Sequence, residues 1–322
     1  MRALVTGATG FVGSHLVETL QRAGWSVTIL VRNPKKLEET GIQGVHSVVG
    51  DLASVESLTA ACHDQDVVFH VAGLVAARSP GEYLDVNRDG TARLVAAAES
   101  TGVGRLVLVS SLAAAGPSQA GAPRTEDLAT TPVTAYGRSK LAAEEVVRRS
   151  TLPWTILRPP TIYGPRDREL LTAFKAARLG IAPVFGDGRQ ELSVIHVTDL
   201  AEALLASATA PGAIGLTAFV AHPEIVTSAS LLQAIGASLD RTPWILPVPR
   251  FLGALLLQVT GAAAALAGRA TILNPDKANE FFQPAWTCSP TRLAEATGWR
   301  ARIAMAEGIP ATTAWYRSSG WI

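Results

Sequence analysis

Cysteine is nearly absent. Cys62 and Cys288 are the only two in 322 residues. Neither has partners at metal-ligand spacing, so no disulfide framework and no zinc site organise the chain. Charge is scarce as well: 17% of the residues are Asp, Glu, Lys or Arg, and the net charge is +1. That balance gives no support to a nucleic-acid or strongly acidic-lipid partner and leaves a small molecule as the expected one. There is no internal repeat, and only 118–131 lacks a pattern enough to be a candidate for disorder. No run reaches bilayer length. The stretch 251–267 is 17 residues without a charge, short of the roughly 20 a spanning helix needs, and rich in Gly, Gln and Ala. It reads as a buried or substrate-covering helix in preference to a membrane contact. No leader is expected, because the first strand begins at residue 2 and would be lost with a signal peptide. A reducing cytoplasmic location fits the lone cysteines.

What is present is a chain 48% hydrophobic, long enough to bury a large core in two lobes. Its organising stretch comes first. Arg2-Ala3-Leu4-Val5 is a short apolar run of the kind that makes a buried strand, and Gly7, Gly10 and Gly13 follow. Phe11, Leu16, Val17 and Leu20 then recur at helical spacing. Strand, glycine-rich turn and helix in succession put unpaired N–H groups and the positive end of a helix dipole where a pyrophosphate binds. Gly7 permits the tight turn, Gly10 lets a phosphate approach, and Gly13 lets the helix pack close on the strand. Thr9, Phe11 and Val12 complete this expected dinucleotide site. The second strand, Val27 to Val31, ends in Arg32-Asn33-Pro34-Lys35-Lys36. An acid at the end of that strand would bond the 2′-hydroxyl of NAD, whereas Arg32 with Lys35 suits the 2′-phosphate of NADP. NADP is therefore expected in preference to NAD, the alternative being a solvated basic turn.

Further apolar runs at Val45 to Val49, Asp66 to Val71, Arg105 to Val109 and Leu152 to Leu157 alternate with helical patterns. The expected fold is α/β, a Rossmann-type doubly wound parallel sheet with a smaller, mostly helical C-terminal substrate lobe. The chemistry centres on Tyr136 and Lys140, four apart and so on one face of a helix running to Arg149. A free phenol titrates near about 10. A neighbouring ammonium and a cationic nicotinamide would lower it, letting Tyr136 exchange a proton with a carbonyl oxygen or an alcohol. A surface Tyr–Lys pair is the plain alternative.

The Gly-x-x-Gly-x-x-Gly spacing, the Tyr-x-x-x-Lys pair, Asn87-Arg88-Asp89-Gly90-Thr91 and Arg158-Pro159-Pro160-Thr161-Ile162-Tyr163-Gly164-Pro165 together resemble the extended branch of the short-chain dehydrogenase/reductase superfamily, the NAD(P)-dependent epimerases and dehydratases. The resemblance is strong to residue 165, moderate to 208 and weak beyond. It is similar within that branch to dihydroflavonol-reductase-like, 3β-hydroxysteroid-dehydrogenase-like and hopanoid-associated epimerase-like proteins. The resemblance implies that Ser111 holds the substrate oxygen, with Ser110 the alternative, and that Lys140 bonds the nicotinamide ribose. It implies that Asp51 bonds the adenine (a helix N-cap being the other reading), with Leu52 beside it. His70-Val71-Ala72-Gly73 would pass the backbone near the cofactor, His70 itself being a core-edge residue. Pro159 and Ile162 would lie along the nicotinamide, while Arg158 also suits an internal ion pair. It places an NADP-binding domain at 1–160, rejoined by 193–212, and a substrate lobe at 161–192 and 213–322. A homodimer is expected by analogy.

The leading function is an oxidoreductase interconverting a carbonyl and an alcohol on a largely apolar small molecule. A nucleotide-sugar epimerase or dehydratase using the same tyrosine is the alternative. Leu192 stands where those relatives carry a diphosphate-gripping arginine, though Arg189 or Arg166 could compensate. A non-catalytic NADP-binding regulatory protein is the third reading, disfavoured by the joint presence of Ser111, Tyr136 and Lys140.

Overall fold

A computed structural model describes all residues, Met1–Ile322. The chain opens with β1 (Arg2–Thr6), α1 (Phe11–Arg22), β2 (Ser26–Val31), α2 (Pro34–Thr40), β3 (His46–Val49), α3 (Val55–Cys62) and β4 (Val67–His70). Then α4 (Pro80–Leu84) passes through a π-helical turn, Asp85–Asp89, into α5 (Gly90–Ser100). There follow β5 (Arg105–Val109), the short α6 (Leu112–Ala115), α7 (Ala135–Arg148) and β6 (Trp154–Arg158). Beyond them come β7 (Thr161–Tyr163), α8 (Leu171–Arg178), β8 (Ile181–Phe185), β9 (Glu191–His196), α9 (Val197–Thr209) and β10 (Leu216–Phe219). The last third holds β11 (Ile225–Thr227), α10 (Ser228–Ser238), β12 (Trp244–Val248), α11 (Arg250–Leu266), α12 (Ala278–Phe281), β13 (Ala285–Trp286), α13 (Thr291–Thr297) and α14 (Met305–Ser318).

Seven strands form one parallel sheet in the order β10-β6-β5-β4-β1-β2-β3. This is the doubly wound Rossmann arrangement, with its switch point between β1 and β4. Continuous apolar strands are what a sheet buried on both faces requires. Ala3, Val5, Ile29, Phe69 and Val107 join the core under α1 and α9, which supply Leu16, Leu20, Leu200 and Leu204. Their alternating neighbours Leu4, Leu30, Val68, Leu106 and Leu108 join the opposite core, with Leu58, Leu94 and Val147 from α3, α5 and α7.

The smaller lobe is helix-rich but also carries two small sheets. One joins β7, β9, β11 and β13, and the other pairs β8 with β12. Its core centres on Tyr163, Phe174, Ile309 and Tyr316. The boundaries differ from the sequence reading at one strand. β10 lies beyond residue 212 yet completes the seven-stranded sheet beside β6, in register from Leu216 with Thr155. β9 pairs in the lobe's sheet, while its Ile195 is buried with α9 in the core under α1. The stretch 118–131 is not a disordered tract: Ser118 N donates to Ala285 O at 3.0 Å and Arg124 N to Thr287 O at 3.0 Å. The uncharged stretch 251–267 is helical but not buried. Of α11 only Gly253 and Leu257 are covered, because the helix touches the rest of the chain along a narrow strip. No helix is long and apolar enough to cross a membrane.

Candidate active site

The C-terminal ends of the parallel strands form one rim, and the glycine turn sits at its centre. Gly7 has φ +74°, and a Cβ there would lie 2.7 Å from the Ala72 nitrogen. Only glycine fits that closeness to the chain leaving β4. A Cβ on Gly13 would stand 2.1 Å from the Gly7 carbonyl oxygen, so the first turn of α1 rests directly on the glycine turn. Gly10 precedes α1 with no side-chain cap. The free N–H groups beginning at Phe11, Val12 and Gly13 therefore face the rim beside Thr9, as an anion cradle requires.

The remaining candidate cofactor residues follow the same rim. Arg32, at the end of β2, and Lys35 are exposed, and Arg32 is without an acidic partner. Asp51 accepts from Ala53 N at 2.8 Å and Ser54 N at 3.2 Å. Ser54, not Asp51, caps α3. Leu52 packs on the start of α5, where a Cβ on Gly90 would be 2.9 Å from its own Cβ. Val71, Ala72 and Gly73 run on from β4, and a Cβ on Gly73 would lie 3.6 Å from Lys140 Nζ. Pro159 accepts from Leu112 N at 2.8 Å, tying β6 to α6. Ile162 lies in β7 next to β9.

Three candidate catalytic side chains meet where α6 and α7 begin. Thr134 caps α7, accepting from Gly137 N at 3.1 Å. Tyr136 follows, half-buried, its ring tilted against that of Tyr83 at 6.0 Å. One turn on, buried Lys140 donates from Nζ to the Val109 carbonyl at 2.7 Å. Ser111 caps α6 through Ala113 N and faces Tyr136. Ser110 turns the other way and donates to Glu144 at 2.5 Å. The two adjacent serines are thus separated by the structure: one at the site, one behind it.

Burial dominates the electrostatics of the site. Burial pushes the Tyr136 phenol above its ordinary range, and the carboxylates of Glu280 and Glu169 push the same way. The Ser111 hydroxyl is what opposes them. The Lys140 ammonium donates to Val109 O, one turn along α7 from Tyr136. Burial brings Lys140 itself down to about 8, against the upward pull of Glu144. His70 is a core residue: its ring bridges Thr6 and Thr91 hydroxyls at 2.8 and 2.9 Å. Burial and then Lys140 hold it down to about 3.

Several residues the sequence reading did not single out as site residues support the site. Asn87, in the π-helical turn, takes Leu74 N at 2.7 Å and donates to Ser139 Oγ at 2.9 Å. The Asn87-to-Thr91 motif was the signal that could have found it. Asp276 accepts from Ala135 N at 2.6 Å and Glu280 from Thr134 Oγ1 at 2.9 Å. Two acids at the start of α7 complement its dipole. Arg158 forks onto Glu144 through Nε at 2.8 Å and Nη2 at 2.7 Å, so it serves the internal ion pair. Of the residues weighed at the diphosphate position, Leu192 is partly buried against the lobe core, Arg166 pairs with Glu18, and Arg189 is an exposed loop residue near Asp187.

Residues 3–217 match the NAD dependent epimerase/dehydratase family. The chain belongs to that family. A ceramide reductase of Caulobacter vibrioides is 34% identical over 326 residues, covering 99% of this chain and 95% of that protein. A 2-alkyl-3-oxoalkanoate reductase of Stenotrophomonas maltophilia is 31% identical over 265 residues, 74% of this chain and 76% of its own. A UDP-glucose 4-epimerase of Vibrio cholerae is 28% identical over 261 residues, 76% of this chain and 78% of that protein. Among solved structures, a Thermus thermophilus UDP-glucose 4-epimerase complex with NAD superposes with TM-score 0.81 at 24% identity, over 99% of this chain and all of that one. This likeness is one of fold. This member of the epimerase/dehydratase family is an NAD(P)-dependent oxidoreductase of the extended short-chain dehydrogenase/reductase type, acting on a carbonyl/alcohol pair.

Proposed function

We propose that the protein is an NADP(H)-dependent reductase of a largely apolar carbonyl compound, with Tyr136 delivering the proton. The observation that carries this reading is the junction of α6 and α7, where Ser111, Tyr136 and Lys140 converge beside Gly73 on the cofactor rim. The residues present fit the cofactor: an uncapped α1 over a glycine turn for its pyrophosphate, and unpaired Arg32 with Lys35 for a 2′-phosphate. The bound cofactor supplies the hydride. Ser111 donates a hydrogen bond to the substrate oxygen and holds it next to the phenol. Because burial keeps Tyr136 protonated, it is a competent acid for reduction, passing its proton to the oxygen as negative charge develops there. Lys140, held by Val109 O, positions the ribose and offers positive charge to the phenolate left behind.

The apolar character of the substrate rests on three residues: Leu192 is apolar and packs against the lobe core, Arg166 is engaged by Glu18, and Arg189 stands beside Asp187. A diphosphate without positive partners would be strongly disfavoured. The names of the ceramide and 2-alkyl-3-oxoalkanoate reductases point the same way. The direct test is Tyr136→Phe. It should retain NADPH binding and the native unfolding midpoint while losing at least about a hundredfold in turnover of apolar ketones. Near-normal turnover would assign the proton to another group.

A further inference from the structure

Helix α11 turns its apolar side away from the protein. Phe251, Leu252, Leu255, Leu256, Val259 and Leu266 are all exposed, from 46% at Leu252 to 91% at Leu266. At the helical repeat these six positions fall within an arc of about 140°. An ordinary surface helix shows the reverse, polar side chains outward. The chain enters α11 from β12 through Pro249, and the β8–β12 pair adds exposed Ile181, Trp244 and Leu246. Charge along this segment has one sign. Between Asp240 and Asp276 lie Arg241, Arg250 and Arg269, all exposed, and no Asp or Glu. Of the two bounding acids, Asp240 faces Arg317 at 3.6 Å and Asp276 is held by Ala135 N.

We propose that this face docks on an anionic phospholipid bilayer, with α11 lying along the headgroup–acyl boundary. Arg250 packs its guanidinium over the Phe282 ring. An apolar arc on a segment whose remaining charges are Arg241 and Arg269 is the pattern of an interfacial helix: the side chains leave water while those guanidinium groups meet lipid phosphates. The helix is too short to cross, so it lies on the surface. A second copy is a poorer occupant. A two-fold contact of α11 on itself would bring arginine-flanked ends together with no acid between them. The chain after α11 carries Asp276 and Glu280, which hold Ala135 N and Thr134 Oγ1 at the start of α7 and so tie this segment to the candidate active site. On the reductase reading above, docking would let an amphiphilic carbonyl compound pass from bilayer to cleft without crossing water. The docking itself does not depend on that reading.

The test is co-sedimentation of the full chain with phosphatidylcholine vesicles, with and without phosphatidylglycerol. Binding to the phosphatidylglycerol vesicles is expected. It should fall at least about tenfold in Leu255→Glu/Leu256→Glu, and also in Arg241→Gln/Arg269→Gln or at high salt. NADPH affinity and turnover of a water-soluble short-chain ketone should be unchanged in both variants. Loss of turnover in the parent would refute the reductase reading and leave the vesicle result standing. No sedimentation with anionic vesicles, or equal sedimentation of parent and Leu255→Glu/Leu256→Glu, would overturn the proposal. So would a concentration-dependent dimer dispersed by the glutamates, which would assign the face to a second copy.

Discussion

Replacing Glu144 by Gln should destabilise the protein by about 4 kcal/mol. This carboxylate is fully buried on α7, one turn beyond Lys140. It accepts from Ser110 Oγ, from Arg148 Nη2 at 2.7 Å and from both Nε and Nη2 of Arg158. Burial alone would raise its pKa, but the fork from Arg158, together with Ser110 and Arg148, outweighs that and leaves the group below its ordinary value. Glutamine keeps the volume, loses the charge and presents an N–H₂ where only acceptors are wanted. Arg158, 3% exposed, is then a buried guanidinium without a counter-charge, a situation that costs roughly 3–5 kcal/mol. Arg148, 32% exposed, can turn to water and adds at most about 1 kcal/mol. Denaturant unfolding with midpoint and slope fitted separately measures the loss. Glu144→Gln/Arg158→Met, which removes both charges, should recover most of it. A loss below about 1 kcal/mol for Glu144→Gln would refute the reasoning, as would a double variant costing the sum of its singles. The same change has a second readout, because the Glu144 charge holds Lys140 up: the alkaline limb of the rate profile should move to lower pH.

Arg32→Asp should weaken NADPH binding at least tenfold (about 1.4 kcal/mol) without weakening NADH; tighter NADH than NADPH binding by the parent would contradict the NADP preference. Calorimetric titration of UDP and dTDP into the NADPH complex should give no micromolar binding, and such binding by either would promote the nucleotide-sugar alternative. His70 makes stability fall in acid. The unfolded imidazole takes up a proton below about 6.5 while the folded one waits until about 3. The stabilisation is therefore complete above the unfolded value, and lost as pH falls through this window, by about 2 kcal/mol at pH 5. His70→Gln should unfold with a shallower acid dependence between pH 7 and 5, and an identical dependence would rule this source out.

The parts of the protein legible in the sequence are those set by short-range spacing. The order of strand, glycine turn and helix at residues 2–22 follows from apolar runs and from φ +74° at Gly7, which a local turn demands. Tyr136 and Lys140 share a face because helical geometry puts residues four apart together. Continuous apolar strands implied a sheet covered on both sides. What the sequence left open depended on pairings between distant segments. Leu216–Phe219 reads as any short strand, and only the vacant edge of β6 makes it the seventh in the sheet. Glu144 and Arg158 are 14 residues apart on different elements, and their ion pair exists because α7 packs beside β6. The Tyr136 phenol is raised because folding draws it in against Tyr83, and Lys140 meets the Val109 carbonyl because α7 packs beside the end of β5. The 251–267 stretch marks the limit most plainly. Its composition specifies an apolar helix, but which side of a helix meets protein is decided by its neighbours, and here the tertiary structure covers little more than Gly253 and Leu257.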